Sequence, residues 1–300
     1  MKRRDFVKSS VVLGAAAPLA PLPSLTVGQA PHNFKLKYAP HAGMFKHHAG
    51  DDFIDQINFM ADVGFRALED NGMMGRDVAV QKKAAEAMQQ RNMEMGVFVI
   101  DKGGNGANTL AAGKPEHLDI FLDGCRRAVE VAKRVNATWM TVVPGDFQRN
   151  VPIDIQTANV IEALRRGAEI FEPEGLVMVL EPLSDTPDLF LRTSAQTYLI
   201  CKAVDSPACK ILYDIYHMQK NEGNLINNME ATWDEIAYIQ IGDNPGRKEP
   251  TTGEINYKNV FKYLYEKGYQ GICGMEHGNS ADGKAGEQKV IDAYVQVDVK

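Results

Sequence analysis

The chain has 300 residues, 44% of them hydrophobic, and a formal net charge of −6. This length and apolar content allow one large core, while the negative charge argues against general binding to nucleic acid or to anionic membranes. No apolar run reaches the roughly 18 residues needed to cross a bilayer. We therefore expect a protein that acts on a small molecule, and the sequence leaves open whether it forms a homo-oligomer.

The first thirty residues differ in character from the rest. They begin with the basic stretch Lys2–Lys8, continue with a mildly apolar segment from Val11 to Ala20, and end in small residues at Ala30. A charged start, a short apolar centre and a small-residue exit are typical of an export signal. The paired arginines followed by Asp-Phe-Val-Lys resemble the twin-arginine class. We predict a cleaved signal over residues 1–30, a periplasmic location, and one catalytic domain over residues 31–300.

Four cysteines are spread through the chain without a C-x-x-C pair: Cys125, Cys201, Cys209 and Cys273. They are too sparse for a disulfide scaffold, and most lie in or beside apolar runs, which favours buried thiols. An exported protein can form one disulfide, and the sequence does not exclude a bridge between Cys201 and Cys209.

Strand-like and helix-like segments alternate along residues 31–300. The predicted strands cover residues 34–39, 65–69, 95–100, 138–143, 176–181, 210–215, 236–241 and 271–275. The predicted helices cover residues 51–63, 77–92, 116–135, 155–171, 193–204, 225–233, 257–267 and 287–297. Eight such pairs predict an α/β fold with a single (β/α)₈ TIM barrel. A doubly wound open sheet is the alternative, but no Gly-rich phosphate-binding turn follows the first strand.

The stretch Leu176–Ser184, LVMVLEPLS, has the most informative pattern. Its unbroken apolar run suits a strand that is buried on both faces, as in a parallel sheet. Pro182 has no N–H to continue a central strand, so the strand should end at Glu181. This pattern places an ionisable group at the carboxyl end of a buried strand, where barrels carry their chemistry.

The same pattern recurs at three later strands, which end near Asp214, Gln240 and Glu276. Because the carboxyl ends of barrel strands surround one mouth, these side chains and Glu181 should be neighbours. Three carboxylates packed together repel one another unless a cation is present. An oxygen-rich set suits Mg²⁺ or Mn²⁺ better than zinc, so we predict a divalent metal site.

Three further residues are candidates for contact with the substrate. His217 follows Asp214 closely and can donate a hydrogen bond or shuttle a proton. Arg247 lies in a polar loop and can bind a carboxylate through two nitrogens. Glu69 ends the second strand as the other acids end theirs, so we expect it to line the mouth or to hold a neighbouring loop.

Several stretches resemble the hydroxypyruvate isomerase family of the xylose isomerase-like barrel superfamily. They are Glu181-Pro182, the run DIYHMQ at residues 214–219, the run IQIGDNPGR at residues 239–247, and TGEINY at residues 252–257. The resemblance implies that Glu181, Asp214, Gln240 and Glu276 bind the metal, with Glu181 and Glu276 as the acid/base pair. It also implies that His217 and Arg247 contact substrate oxygens. Tyr238 and Thr251 depart from the family pattern, which commonly has histidine and glycine there.

The activity implied is isomerisation of a small hydroxy-carbonyl compound such as hydroxypyruvate. One Glu removes a proton beside a carbonyl, the metal stabilises the resulting oxyanion, and the other Glu returns the proton. A sugar 3-epimerase or a keto-polyol dehydratase would use the same metal set, and a non-catalytic sugar-binding protein is the alternative from another class. An apurinic endonuclease is disfavoured by the negative charge and the few candidate histidine ligands.

Overall fold

Parallel strands form a closed ring in residues 30–300, the part of the chain that this computed structural model describes. The strands are β1 Lys37–Pro40, β2 Ala67–Leu68, β3 Glu94–Met95, β4 Phe98–Val99, β5 Trp139–Val142, β6 Val177–Leu180, β7 Cys209–Asp214, β8 Ile236–Gln240 and β9 Ile272–Met275. Seven of them pair in the order β1-β9-β8-β7-β6-β5-β4, and β2 pairs with β3. Bridges from His41 to Glu69 and from Met95 to Ala137 connect the short pair to the larger sheet. The predicted (β/α)₈ barrel is confirmed.

The helices cover the outside of the ring. Their bounds are α1 Lys46–Ala49, α2 Phe53–Val63, α3 Val78–Gln90, α4 Pro115–Val135, α5 Ile153–Phe171, α6 Ser194–Val204, α7 Ile215–Asn221, α8 Leu225–Thr232, α9 Tyr257–Glu266 and α10 Gly283–Val297. Thr193 accepts a hydrogen bond from the Gln196 amide at 3.2 Å and caps α6, as its position before the apolar run suggests. Helices α1 and α7 are additions to the elements that the sequence predicts.

The predicted third strand is divided into β3 and β4. Gly96 lies at the break, where the hydroxyl of Tyr238 approaches so closely that a Cβ on Gly96 would collide with it. The Val97 amide points to that hydroxyl at 3.4 Å, outside the strand ladder. A side chain from across the barrel therefore interrupts the hydrogen bonding of a continuous strand.

Two further expectations concern the termini and the cysteines. The predicted export signal lies outside the described residues apart from Ala30. Within residues 30–300, no helix has the length and apolar character to cross a membrane. All four cysteines are buried thiols, so the Cys201–Cys209 bridge is not formed.

The barrel interior is built in layers, because side chains alternate between the two faces of each strand. One layer is an apolar cluster made of Ala39, Ala67, Val97, Val179, Leu212, Tyr238 and Ile272. Two residues beyond Ala67, Val179, Leu212, Tyr238 and Ile272 lie Glu69, Glu181, Asp214, Gln240 and Gly274. The period of two thus places a polar layer directly above an apolar one, at the carboxyl ends of the strands.

Candidate metal and active site

Four side chains converge at the carboxyl ends of β6, β7 and β9. One ligand atom each from Glu181, Asp214, His217 and Glu276 can be chosen so that all lie within 4.8 Å of one another. Glu181 follows β6 directly, Asp214 is the last residue of β7, and Glu276 follows β9. The strand-end positions that the sequence singles out are therefore brought together in space.

Gln240 belongs to the same polar layer. It pairs in register with Asp214 on one side and with Gly274 on the other. Its Nε2 donates to Glu69 Oε1 at 2.9 Å, which leaves Gln240 Oε1 buried and without a protein partner in the described part of the chain. Glu181 Oε1 is a second buried oxygen in the polar layer that has no protein donor among residues 30–300.

Asp214 has two distinct oxygens. Oδ1 accepts hydrogen bonds from the amides of Tyr216 at 2.7 Å and His217 at 3.1 Å, and so caps α7. Oδ2 accepts from Arg247 Nη2 at 3.0 Å. Burial favours the neutral form, but the positive charge of Arg247 and the hydrogen bond from the His217 amide lower the pKa of Asp214 below its ordinary value. Asp214 is therefore a fixed anion of the site.

His217 has a defined tautomer. The backbone amide of Ser184 donates to its Nδ1 at 3.1 Å, and because an amide can only donate, Nδ1 must be unprotonated. Burial lowers the pKa of His217, so the ring is neutral and carries its proton on Nε2. Nε2 lies 3.6 Å from Asp214 Oδ2 and 3.9 Å from Glu181 Oε1. This nitrogen is a donor that faces the acid cluster and not a free lone pair for a metal.

Glu276 is held from two sides. Asn71 Nδ2 donates to its Oε1 at 2.8 Å, and Arg247 Nη2 donates to its Oε2 at 2.7 Å. Partial burial and the nearby charge of Glu181 raise the pKa of Glu276 well above its ordinary value. The pKa of Glu181 is also raised well above normal, by burial and by the charge of Asp214. Two carboxyls with raised pKa values in one cleft can exchange protons with a ligand.

Glu69 lies behind Gln240 in the barrel interior. Its Oε2 accepts from the Tyr238 hydroxyl at 2.9 Å and its Oε1 accepts from Gln240, so both oxygens have protein partners. Burial raises the pKa of Glu69 to about 7, against the lowering effect of these two hydrogen bonds. The predicted contact between Glu69 and a substrate stays a prediction.

The donor set fits a divalent cation. Glu181, Asp214, Glu276 and Gln240 are oxygen donors, and two of the buried oxygens have no protein partner within the described range. Mg²⁺ and Mn²⁺ prefer carboxylate and carbonyl oxygens, and a cation would relieve the repulsion among three acids. Glu181, Asp214, Gln240 and Glu276 are thus the residues that would hold such an ion.

Sequence reasoning missed the residues that support the site. Ser184 fixes the His217 ring, Asn71 holds Glu276, and Asp185 lies 4.0 Å from both His217 Nε2 and Arg247 Nη1. Asn71 follows the strand-end acid Glu69 within a few residues, and Ser184 and Asp185 follow Glu181 in the same way. That proximity in sequence is the signal that could have found them.

A closed parallel barrel with ionisable groups at the carboxyl ends of its strands defines a TIM-barrel protein with its site on the face where such barrels carry their chemistry. The sequence model described as "xylose isomerase-like TIM barrel" matches residues 57–294. The chain belongs to the xylose isomerase-like TIM barrel family.

Two curated relatives illustrate the similarity in sequence. Hydroxypyruvate isomerase of Escherichia coli K12 is 30% identical over 241 residues, which cover 78% of this chain and 91% of the relative. The 2-oxo-tetronate isomerase of Pectobacterium atrosepticum is 27% identical over 242 residues, covering 77% of this chain and 89% of the relative.

Solved structures support the fold. A family 2 AP endonuclease from Brucella melitensis superposes with a TM-score of 0.73 at 22% identity, covering 84% of this chain and 96% of that chain. The 3-keto-D-glucoside 4-epimerase of E. coli has a TM-score of 0.73 at 20% identity, covering 88% and 99%. At these identities the likeness concerns the barrel alone.

Proposed function

We propose that this protein is a metal-dependent isomerase that interconverts hydroxypyruvate and tartronate semialdehyde, or a close analogue of that pair. The isomerase class follows from relatives that are hydroxypyruvate and 2-oxo-tetronate isomerases. The observation that carries the proposal is the meeting of Glu181 and Glu276, two carboxyls with raised pKa values, in one acid cluster.

The two glutamates supply the proton transfer. One carboxylate removes a proton from the carbon beside the substrate carbonyl, and the other acid delivers a proton to the neighbouring carbon. The hydroxyl proton moves between the two oxygens, so the carbonyl and the hydroxyl exchange places and no atom is gained or lost. A positioned base of this kind contributes about 10²–10⁴-fold to the rate.

A divalent cation held by Glu181, Asp214, Gln240 and Glu276 would polarise the carbonyl and stabilise negative charge on its oxygen. The chain's own residues complete the arrangement. His217 presents Nε2–H toward the acids, where it can donate to a substrate oxygen. Arg247 pairs with Asp214 and Glu276 and can contact a substrate carboxylate.

A longer substrate is the second candidate. A cavity of about 300 Å³ adjoins the site, lined by Asn71, Met74, Ile100, Lys102 and Val143 among others. Asn71 belongs to both the cavity and the site, because it also donates to Glu276. This space also accommodates an acid with a longer carbon chain, such as the substrate after which the 2-oxo-tetronate isomerase is named.

Turnover by the full chain tests the proposal. The protein loaded with Mn²⁺ or Mg²⁺ is incubated with hydroxypyruvate, 2-oxo-tetronate and a panel of ketohexoses, and products are followed by NMR in D₂O. We expect isomerised product with deuterium on carbon, and loss of turnover in Glu181→Gln and Glu276→Gln. Turnover unaffected by Glu276→Gln would contradict the mechanism, and binding without turnover would support a sugar-binding protein instead.

We also propose that residues 1–30 direct export through the twin-arginine route and that residues 31–300 are the catalytic domain. A fusion of residues 1–30 to a reporter that folds in the cytoplasm should reach the periplasm, and replacing Arg3 and Arg4 by lysines should retain it inside. Export of the lysine variant would contradict the assignment.

A further inference from the structure

The barrel interior contains a directed chain of hydrogen bonds that ends at the acid cluster. The Val97 amide can only donate, so the Tyr238 hydroxyl accepts from it at 3.4 Å and gives its own proton to Glu69 Oε2 at 2.9 Å. Glu69 Oε1 in turn accepts from Gln240 Nε2 at 2.9 Å. Tyr238 and Gln240 thus both donate hydrogen bonds to the Glu69 carboxylate.

This direction decides which end of the Gln240 amide faces the site. With Nε2 bound to Glu69, the carbonyl oxygen Oε1 is left buried and without a protein partner in the described residues. An amide turned the other way would present two N–H donors to the cluster, and N–H groups repel a cation. The orientation of Gln240 thus depends on an acceptor behind it.

The surrounding backbone makes room for this arrangement. Gly274 faces Glu69 so closely that a Cβ at this position would collide with Oε2, and a Cβ on Gly96 would collide with the Tyr238 hydroxyl. Glu69 is 1% exposed, and Gln240 and Tyr238 are fully buried. The absence of a Cβ at Gly274 and at Gly96 therefore leaves the space that Glu69 and Tyr238 occupy.

We propose that Glu69 is a positioning residue that fixes the Gln240 carbonyl oxygen toward the cation, with Tyr238 holding Glu69 in place. This inference rests on the proposed metal site and assigns Glu69 a role behind the ligand instead of contact with substrate. Residues that orient a metal ligand typically change metal affinity about 10–100-fold when they are replaced.

The substitution Glu69→Gln keeps the shape of the side chain at position 69 but changes the orientation expected for the Gln240 amide. The oxygen of the introduced amide would still accept from Tyr238, so its NH₂ would face Gln240 and turn that side chain around. In the Gln240→Glu background, by contrast, either carboxylate oxygen can face the cation whichever side chain occupies position 69. A double-mutant cycle of these two changes measures the coupling between positions 69 and 240.

The experiment measures binding of Mn²⁺ alone by calorimetry and by EPR, for the wild type, both single variants, the double variant and Glu94→Gln. Glu94 is an exposed carboxylate outside the site and controls for removal of a surface charge. Circular dichroism and the unfolding temperature of the metal-free variants report whether they fold.

We expect Glu69→Gln to weaken Mn²⁺ binding at least about tenfold in the wild-type background and to have a much smaller effect in the Gln240→Glu background. Glu94→Gln should bind as the wild type does. Equal effects of Glu69→Gln in both backgrounds, or none in the wild type, would overturn the positioning role and leave the proposed function standing. Absence of Mn²⁺ binding to the wild type would overturn both.

Discussion

Arg247 contacts Glu276 through two of its nitrogens. Nε donates to the backbone carbonyl of Glu276 at 3.2 Å, and Nη2 donates to the side-chain Oε2 at 2.7 Å. The same Nη2 lies 3.0 Å from Asp214 Oδ2, and the guanidinium packs 5.0 Å from the centre of the Tyr216 ring. A fixed positive charge is thus built into the acid cluster.

Replacing Arg247 by Gln should destabilise the metal-free protein. The change removes charged hydrogen bonds from two acids, which we expect to cost about 2 kcal/mol and several degrees in unfolding temperature. Added Mn²⁺ should recover most of the loss, because it neutralises the same carboxylates. Thermal unfolding with and without Mn²⁺ checks this, with Lys248→Gln as a charge control on the same loop. If metal-free Arg247→Gln unfolded at the same temperature as the metal-free wild type, the prediction would be wrong.

Replacing His217 by Ala should lower kcat/KM about 10²–10³-fold, within the range for a positioned proton donor. His217→Gln should retain more activity, because its amide can present an N–H from a similar place. Ser184→Ala should have a small effect, since the Ser184 backbone amide still donates to Nδ1. Steady-state kinetics of the three variants measure this, and a Ser184→Ala loss as large as that of His217→Ala would contradict the tautomer argument.

Metal affinity should rise with pH. The pKa values of Glu181 and Glu276 are raised in the metal-free protein, so these carboxyls hold their protons to higher pH than free glutamate does, and a bound cation must displace those protons. Calorimetry in buffers of different ionisation enthalpy should show proton release on Mn²⁺ binding. An affinity that is constant from about pH 6 to about pH 8 would contradict the raised pKa values.

The metal-free wild type should lose stability relative to Glu69→Gln as pH rises. The pKa of Glu69 is raised from 4.5 to about 7 in the folded state. A carboxyl whose pKa is higher in the folded state stabilises the fold fully at a pH below its pKa in the unfolded state. This stabilisation is lost as the pH rises through its pKa in the folded state. Urea unfolding of both proteins between about pH 4.5 and about pH 8 measures the difference. A constant difference would show that Glu69 does not titrate in this way.

The strand-end acids could be predicted because they depend on local pattern. A buried apolar run that stops at a carboxylate and a proline marks Glu181 without any knowledge of its neighbours. The same reasoning reached Asp214, Gln240 and Glu276, and the closed barrel then brought them to one mouth.

The supporting contacts could not be predicted, because they join residues that are far apart along the chain. Tyr238 reaches Glu69 across 169 positions, and Asn71 reaches Glu276 across 205. The division between β3 and β4 has the same origin, since the hydroxyl of Tyr238 arrives from the other side of the barrel. Helix α7 was missed because Asp214, read as a ligand, is also its cap.

The first and last strands, β1 and β9, are direct partners. Asp298, near the carboxyl terminus, accepts from the Lys35 amide at 2.8 Å and from the Tyr38 hydroxyl at 2.9 Å. The ring of strands therefore closes between segments that are far apart along the described chain, and β1 has no complete set of partners until β9 and Asp298 are in place. Loss of the Asp298 carboxylate should accordingly loosen the packing of β1 before that of the other strands.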